Sequence, residues 1–572
     1  MRPPAWRGAS LLAGAICASL FSVCAAGQTV APSQVTPPSM APVPPAGSRN
    51  DTPLAPAPAP ALDVPPAAKT MFVSLNRIDV EGGRGEFQAR TRALAGPLEG
   101  KKVSVAELYQ FVAALQDVYA RAGYVLVRVA VPKQKLEDGG VFKVKVVSGF
   151  IESVVVKGVT PHMDDLIRER TDYLVGKKDI TLEDIERALM VAGSLPGLKL
   201  QSALARGEQE GGTQLVLVGQ QQTLTGSVGF DNRLPHSLGN WEVGGTVALN
   251  NALGHGEQIY LSSELGVGSG LPVRQIGAGF VLPLGNDGLT INPEYIDSKT
   301  KTDATPNVPA TNGEFERLAL RFNYPLLIDH ARTLNLTSSV ENVEQHLYAP
   351  LFASDLSRDE YWVTRMGVNW SSIGGGWAPP MLANLQLSKG LGGRDANDVD
   401  VSGIPLSRLG ATPRFTKLNG DFRLVQTIHG LWSLSVMARA QTSFNRPLFV
   451  SEQFALDGVD GISTAASGSF NVDTGETVRL ELAYPVSTTS SYGVLTLSPY
   501  AFGAQGWGQL YRQTALEQHE INADVYGLGV RFARNRESPG DASLGLEVGQ
   551  LHSNLPGARS SLRFSAVATL SF

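Results

Sequence analysis

Eight histidines, two cysteines and 53 acidic side chains are the material for chemistry in this chain of 572 residues. A zinc hydrolase would place two histidines one helical turn apart, as in His-Glu-x-x-His, and no such spacing occurs. His255 stands in Gly254-His255-Gly256, which reads as a turn. A serine hydrolase would need Gly-x-Ser-x-Gly, and a nucleotide enzyme a glycine-rich phosphate loop. Neither is present. The expectation is a protein that is not an enzyme, with no catalytic residue, no metal site and no cofactor. One stretch is unusual in its charge: no lysine or arginine lies between Arg446 and Arg479.

The elements around these residues read mainly as strands. Leu562, Phe564, Ala566, Ala568, Leu570 and Phe572 alternate with Arg563, Ser565, Val567, Thr569 and Ser571. A period of two is a strand with one apolar face. At about 3.3 Å per residue and a tilt of about 40°, such a strand covers roughly 27 Å, close to the ~25 Å apolar band of an outer-membrane barrel. A half-buried strand of a soluble sandwich would alternate too. The aromatic end at Phe572 favours the closing strand of a barrel. From Leu224 onward, short alternating segments such as Trp241–Leu249 and Gln258–Leu265 are separated by turns. Divided at roughly 22 residues per strand and connection, the segment 223–572 yields about sixteen antiparallel strands. Gly374-Gly375-Gly376-Trp377 reads as a turn followed by an interface aromatic.

The start of the chain is different. Arg2 and Arg7 precede an apolar stretch from Leu11 to Val23 that closes on Cys24-Ala25-Ala26. Residues 1–26 read as a secretory signal peptide, which would remove both Cys17 and Cys24. A lipidated Cys24 is disfavoured by Val23 before it. Residues 27–69 are rich in proline and alanine, an extended linker in which no long helix fits. No run approaches eighteen apolar residues, so no membrane-spanning helix is expected. The net charge of −5 gives no reason to expect nucleic acid.

Between linker and barrel, one pattern occurs twice. Residues 70–148 open with a strand over Leu75–Glu81. A helix capped by Ser104-x-x-Glu107 carries Leu108, Phe111, Val112, Leu115 and Tyr119. Strands over Tyr124–Val131 and Val141–Val147 follow. Residues 149–222 repeat the order, with a strand at Ile151–Val156, a helix from Met163, and a second helix capped by Thr181. Leu195-Pro196-Gly197 then leads into two strands. The order β-α-α-β-β in tandem is an internal repeat.

Tandem units of this order ahead of a barrel resemble POTRA domains. The details resemble the two-partner secretion transporters, the TpsB family of ShlB, FhaC and HecB type, relatives of the BamA insertase. The resemblance rests on Gly123-Tyr124-Val125 through Val146-Val147-Ser148-Gly149-Phe150-Ile151, and on Leu195-Pro196-Gly197. It rests also on Gly229-Phe230-Asp231-Asn232 through Asn250-Asn251-Ala252-Leu253-Gly254. Tyr324-Pro325-Leu326 and Tyr484-Pro485-Val486 are similar to the family's strand ends. It implies an all-β transmembrane barrel preceded by two α+β POTRA domains, in the bacterial outer membrane with those domains in the periplasm. It implies secretion of a large TpsA-like exoprotein. It also implies contact with outer-membrane lipid, and insertion of the chain itself by the barrel-assembly machinery. A barrel-assembly factor is the alternative, and a diffusion porin a third reading. No ATP is available at that membrane, so export would be driven by passenger folding outside, or by nothing.

The resemblance also implies a sixth outer loop folded back into the barrel. In the family its tip reads Val-Arg-Gly-Tyr, and the arginine pairs with the aspartate of a wall motif, Phe-x-Asp-x-Gly. Here the loop opens on Glu452-Gln453-Phe454-Ala455-Leu456-Asp457-Gly458, and Ile462, Ser463, Thr464 and Ala465 fall at the tip. On the wall, Phe502 and Gly506 match while Ala504 replaces the aspartate. Both members of the ion pair are missing. The loop is therefore expected to be held by hydrogen bonds and packing, or held less firmly. The family's plug helix would fall in the proline-rich linker and is expected to be absent.

Overall fold

The computed structural model describes residues 66–572 apart from 269, 305–308, 376–377, 516, 536–539 and 556–559. The expected signal peptide and nearly all of the linker lie outside the described residues, as does the Gly376-Trp377 half of the glycine-rich turn. Gly374 takes a positive φ there, and Gly375 pairs with Ala378.

The first unit runs from a short 3-10 turn, Pro66–Lys69, to Val147. Its Ala68 is buried, so residues just before 70 belong to the packed unit. Helices Gln88–Ala95 and Val105–Arg121 cover one face of a four-stranded sheet. The sheet order is Lys102–Ser104, Phe72–Glu81, Gly140–Val147, Arg128–Ala130, and the central pair is parallel. The capping box is present: Ser104 N–H donates to Glu107 (2.7 Å) and Glu107 N–H to Ser104 Oγ (3.3 Å).

One expectation is corrected here. Tyr124–Val131 is not one strand; only Arg128–Ala130 is. Tyr124 N–H and Val127 N–H turn back to Tyr119 and Tyr124 carbonyls. The segment spends its side chains sideways instead. The Arg84 guanidinium stacks on Tyr124, and Leu126 enters the core of the second unit. Leu182 N–H donates to the Gly123 carbonyl (2.8 Å), so the units share a packed joint.

In the second unit, helices Pro161–Thr171 and Leu182–Gly193 cover a sheet ordered Phe150–Lys157, Gly212–Gln221, Leu198–Arg206. Thr181 and Asp184 form its capping box.

Sixteen antiparallel strands then close a barrel, from Leu224–Asp231 to Ser561–Ser571. Thr474–Ala483 and Val486–Ser490 both pair with Gly493–Gln509 and make one strand, interrupted at Tyr484-Pro485. Proline has no N–H to give the ladder, and Pro325 likewise coincides with a register shift. The seam pairs Ser227–Asp231 with Val567–Ser571. It is extended by reciprocal Gly226–Phe572 backbone bonds of 2.9 Å. Outward residues such as Val478, Leu480 and Leu482 are exposed, while Thr477, Arg479 and Glu481 between them are buried inward. Among the described residues, no helix is long and apolar enough to cross a membrane.

The second unit is seated on the near-end turns. Arg170 donates to the Gly285 carbonyl (3.3 Å) and Arg187 to that of Pro325 (3.3 Å). Gly256 lies so close to Leu195 and Leu166 that a Cβ there would stand 2.8 Å from Leu195. In the same turn, burial pushes the Glu257 carboxyl up, but N–H donors from Leu253 and His255 outweigh it and hold it below the carboxylate range. His255 is a turn residue, between two glycines of positive φ.

Candidate functional site

The longest excursion at the far end is residues 443–473, between Trp432–Thr442 and Thr474–Ala483. Phe444 and Asn445 take positive φ and reverse the chain, and Ser443 N–H closes the neck on Thr474 Oγ1 (3.0 Å). The loop then folds on itself. Phe454-Ala455 pairs with Asn471-Val472, and the Asp457 carboxylate accepts from Gly468 N–H (3.0 Å) and Phe470 N–H (3.2 Å). A finger with its own hydrogen bonds can enter a barrel without leaving backbone groups unpaired.

The root of the finger is ionic. Glu452 is 1 % exposed. It accepts from Arg365 (2.7 and 3.0 Å) and the Tyr361 hydroxyl (2.9 Å), and pairs with Lys417 (2.8 Å). Two cations and a phenol from two wall strands thus meet one loop carboxylate. A buried charge needs that degree of pairing to be tolerated.

The tip is held differently. Ser463 Oγ accepts from Arg479 Nη1 (2.6 Å) and donates to Glu547. Arg479, fully buried, also donates to Glu547 (2.6 Å) and to Glu481 (2.8 Å), and lies over the Phe502 ring at 4.2 Å. Arg531 adds two bonds of 2.7 Å to Glu481, and Tyr500 donates to Glu547 (2.7 Å). In this buried cluster all the charges belong to the wall and the loop contributes one hydroxyl; beside it the loop's partly exposed Asp460 pairs with Arg423 of the wall.

Each tip and wall residue can now be placed. Ile462 and Ala465 are buried in an apolar cluster with Leu456, Phe470, Phe502, Ala504 and Val525. Thr464 is buried and its hydroxyl has no partner. Ala504 pairs in register with Arg479, so Ser463 bonds the residue beside Ala504 rather than Ala504 itself. A Cβ on Gly506 would stand 3.2 Å from Leu456, which lets the finger lie against that strand. Phe572 lies at the seam, away from the finger, with its ring over Gly226.

Arg479, Glu481, Glu547 and Glu452 were not singled out from sequence as members of the site. Arg479 and Glu481 did carry a signal: they occupy inward positions of an alternating strand, where charge is costly unless paired. Glu547 lies too far along the chain for spacing to reveal it.

One group among the described residues has donors for a metal ion: Glu186, Asp329 and His330, at the joint between second unit and barrel. His330 Nδ1 lies 2.7 Å from Glu186. Both Asp329 oxygens are engaged, by the Ala331 and Arg332 N–H groups and the Arg332 guanidinium. That cation beside the carboxylate makes the group a polar latch better than an ion site.

Residues 211–532 match the family model described as haemolysin secretion/activation protein ShlB/FhaC/HecB, and residues 73–149 match the ShlB-type POTRA domain. The outer membrane transporter CdiB of Escherichia coli O6:K15:H31 is 25 % identical over 284 residues, 48 % of this chain and 47 % of its own length. The chain thus spans about half the length of that curated relative. The heme/hemopexin transporter protein HuxB of Haemophilus influenzae is 18 % identical over 80 % of both chains. The solved structure of CdiB from E. coli superposes with a TM-score of 0.66 at 20 % identity, covering 90 % of this chain and 94 % of that one. BamA from Haemophilus ducreyi, without its first three POTRA domains, reaches 0.51 at 12 %, covering 88 % of this chain and all of that one. With more than half its length matched, the chain belongs to the ShlB/FhaC/HecB family of haemolysin secretion/activation proteins.

Proposed function

We propose that this protein secretes one large partner exoprotein across the bacterial outer membrane by two-partner secretion. The observation that carries the reading is the match of residues 211–532, most of the barrel, to the haemolysin secretion/activation family. The finger of residues 443–473 inside a sixteen-strand barrel accords with it. Residues 70–148 and 149–222 act as two periplasmic POTRA domains, and 223–572 as the conducting barrel. Lipid surrounds its outward apolar residues, and the cell's barrel-assembly machinery inserts it. The chain is a channel rather than an enzyme.

An unfolded passenger would add a strand to an exposed sheet edge in the periplasm. The nine-residue strand Leu198–Arg206 fits: it has no strand neighbour on its outer side among the described residues. The reading as a barrel-assembly factor is weaker, because two units precede the barrel and the likeness to BamA is one of fold alone.

The test is secretion of the product of a neighbouring gene, expected to be very long and β-helical. Deleting residues 70–222 should abolish export while leaving a heat-modifiable barrel in the membrane. Export that persists without them would refute passenger docking on the POTRA units.

A further inference from the structure

Three far-end loops meet at one side chain: residues 394–415, 443–473 and 510–519 apart from 516, which join strand pairs at the end opposite the periplasmic units. One arginine holds all three. Arg408, in the first, is buried; its guanidinium lies 3.5 Å from Asp473 at the end of the second. It also pairs with Glu517 in the third and donates to the Tyr511 carbonyl (3.2 Å).

Both acids are themselves tied down. Asp473 has no exposed surface and accepts from Leu448 N–H (3.0 Å) and Tyr511 N–H (2.8 Å). Glu517 accepts from Thr514 N–H (2.8 Å), closing its own loop. Next to Arg408, Ser407 N–H donates to Asp359 on the wall (2.9 Å), and Ser407 Oγ accepts from Val450 N–H (3.2 Å). Beneath them Phe415, Phe449 and Tyr361 pack together, Tyr361 stacked on Phe449 at 4.8 Å between centroids. A buried guanidinium shared by two loop carboxylates is costly unless both remain in place, so the contact couples the three loops.

We propose that Arg408 is the pin of an exit lid. Loops 394–415, 443–473 and 510–519 form one closed cap, and this cap must part at Arg408 before a passenger emerges. The inference rests on the export reading. It goes beyond it by assigning the gate to contacts between outer loops rather than to the finger tip inside the barrel.

Two measurements on the full-length protein decide it. In planar bilayers, Arg408→Met should raise mean conductance about tenfold, because losing the shared partner of buried Asp473 and partly buried Glu517 shifts a closed–open balance by about an order of magnitude. In cells, the pair Arg408→Cys and Glu517→Cys should be joined by a short bis-maleimide. Both native cysteines fall within residues 1–26, so only the engineered thiols remain after cleavage there. Cross-linking should cut export about tenfold or more against reagent-treated single-cysteine variants, since a locked state cannot reach the conducting one. Wild-type conductance in Arg408→Met, or wild-type export from the cross-linked pair, overturns the lid. If Arg408→Met does not insert as a heat-modifiable barrel, the cross-linked pair decides. If the unaltered chain exports no partner, the export reading fails, and the bilayer measurement still tests the lid.

Discussion

Replacing Arg479 with methionine separates two things the guanidinium does. On the wall it pairs with Glu481 and Glu547, and those contacts persist whether or not the finger is docked. Removing one partner from such a buried group costs about 3–5 kcal/mol. The low end applies, because Glu481 keeps Arg531 and Glu547 keeps Tyr500. This loss should appear as a lower temperature for the heat-modifiable transition. To the finger, Arg479 gives only the bond to Ser463. A hydrogen bond to a charged group contributes about 1.5–3 kcal/mol. At about 1.4 kcal/mol per decade, the undocked finger should be roughly 10–150 times more populated. The probe is Thr464→Cys, whose native hydroxyl is buried without a partner. Maleimide labelling of that cysteine should accelerate in the Arg479→Met background by this factor. Ser463→Ala, which also removes the bond to Glu547, should accelerate labelling at least as much but leave the thermal transition near wild type. If Arg479→Met lowers the thermal transition while labelling stays within about twofold of wild type, Arg479 stabilises only the wall, and the reasoning about the tip is wrong.

Other expectations follow from the same contacts. Glu452→Gln leaves Arg365 and Lys417 facing each other without their shared anion; it should cost about 3–5 kcal/mol and make the finger sensitive to added protease in intact cells. Ser463→Arg places a second guanidinium against Arg479 and should reduce passenger secretion. Adding Ala504→Asp, in register with Arg479, should restore part of the loss and give a measurable coupling energy. Gly506→Val pushes a branched side chain into Leu456 and should lift the finger from its strand, again read by labelling of Thr464→Cys.

Much of the fold is legible because strands and helices leave periodic traces. The alternation at 562–572, the two capping boxes and the turn glycines locate elements from local pattern alone. Tyr124–Val131 misleads because its apolar residues serve three masters: the ring under Arg84, the joint with the second unit, and a short edge strand. Periodicity cannot distinguish a strand from a segment whose side chains pack in different directions. The site follows the same division. That positions 463 and 504 hold serine and alanine, with no charge on either, is read directly from the sequence. What holds the tip cannot be read so, because Arg479, Glu481 and Glu547 are brought together by the pairing of four successive strands rather than by spacing within one.

Where the charge sits decides what undocking costs. With an arginine on the tip and an aspartate on the wall, withdrawal of the finger parts two opposite charges and leaves one of them in the wall without a partner, a loss of about 3–5 kcal/mol. Here the cation and both carboxylates stay together on the wall, and the finger withdraws a neutral hydroxyl. That step breaks its bonds with Arg479 and Glu547, each contributing about 1.5–3 kcal/mol. Withdrawal of the tip therefore leaves no charge in the wall without a partner, because Arg479 and Glu547 remain paired with each other. The burden of holding the finger shifts to its root, where Glu452 meets Arg365, Lys417 and Tyr361. Neutralising the root should therefore free the finger more than neutralising the tip does. The labelling rate of Thr464→Cys should rise further with Glu452→Gln than with Ser463→Ala, and the reverse order would show that the tip, not the root, bears the load.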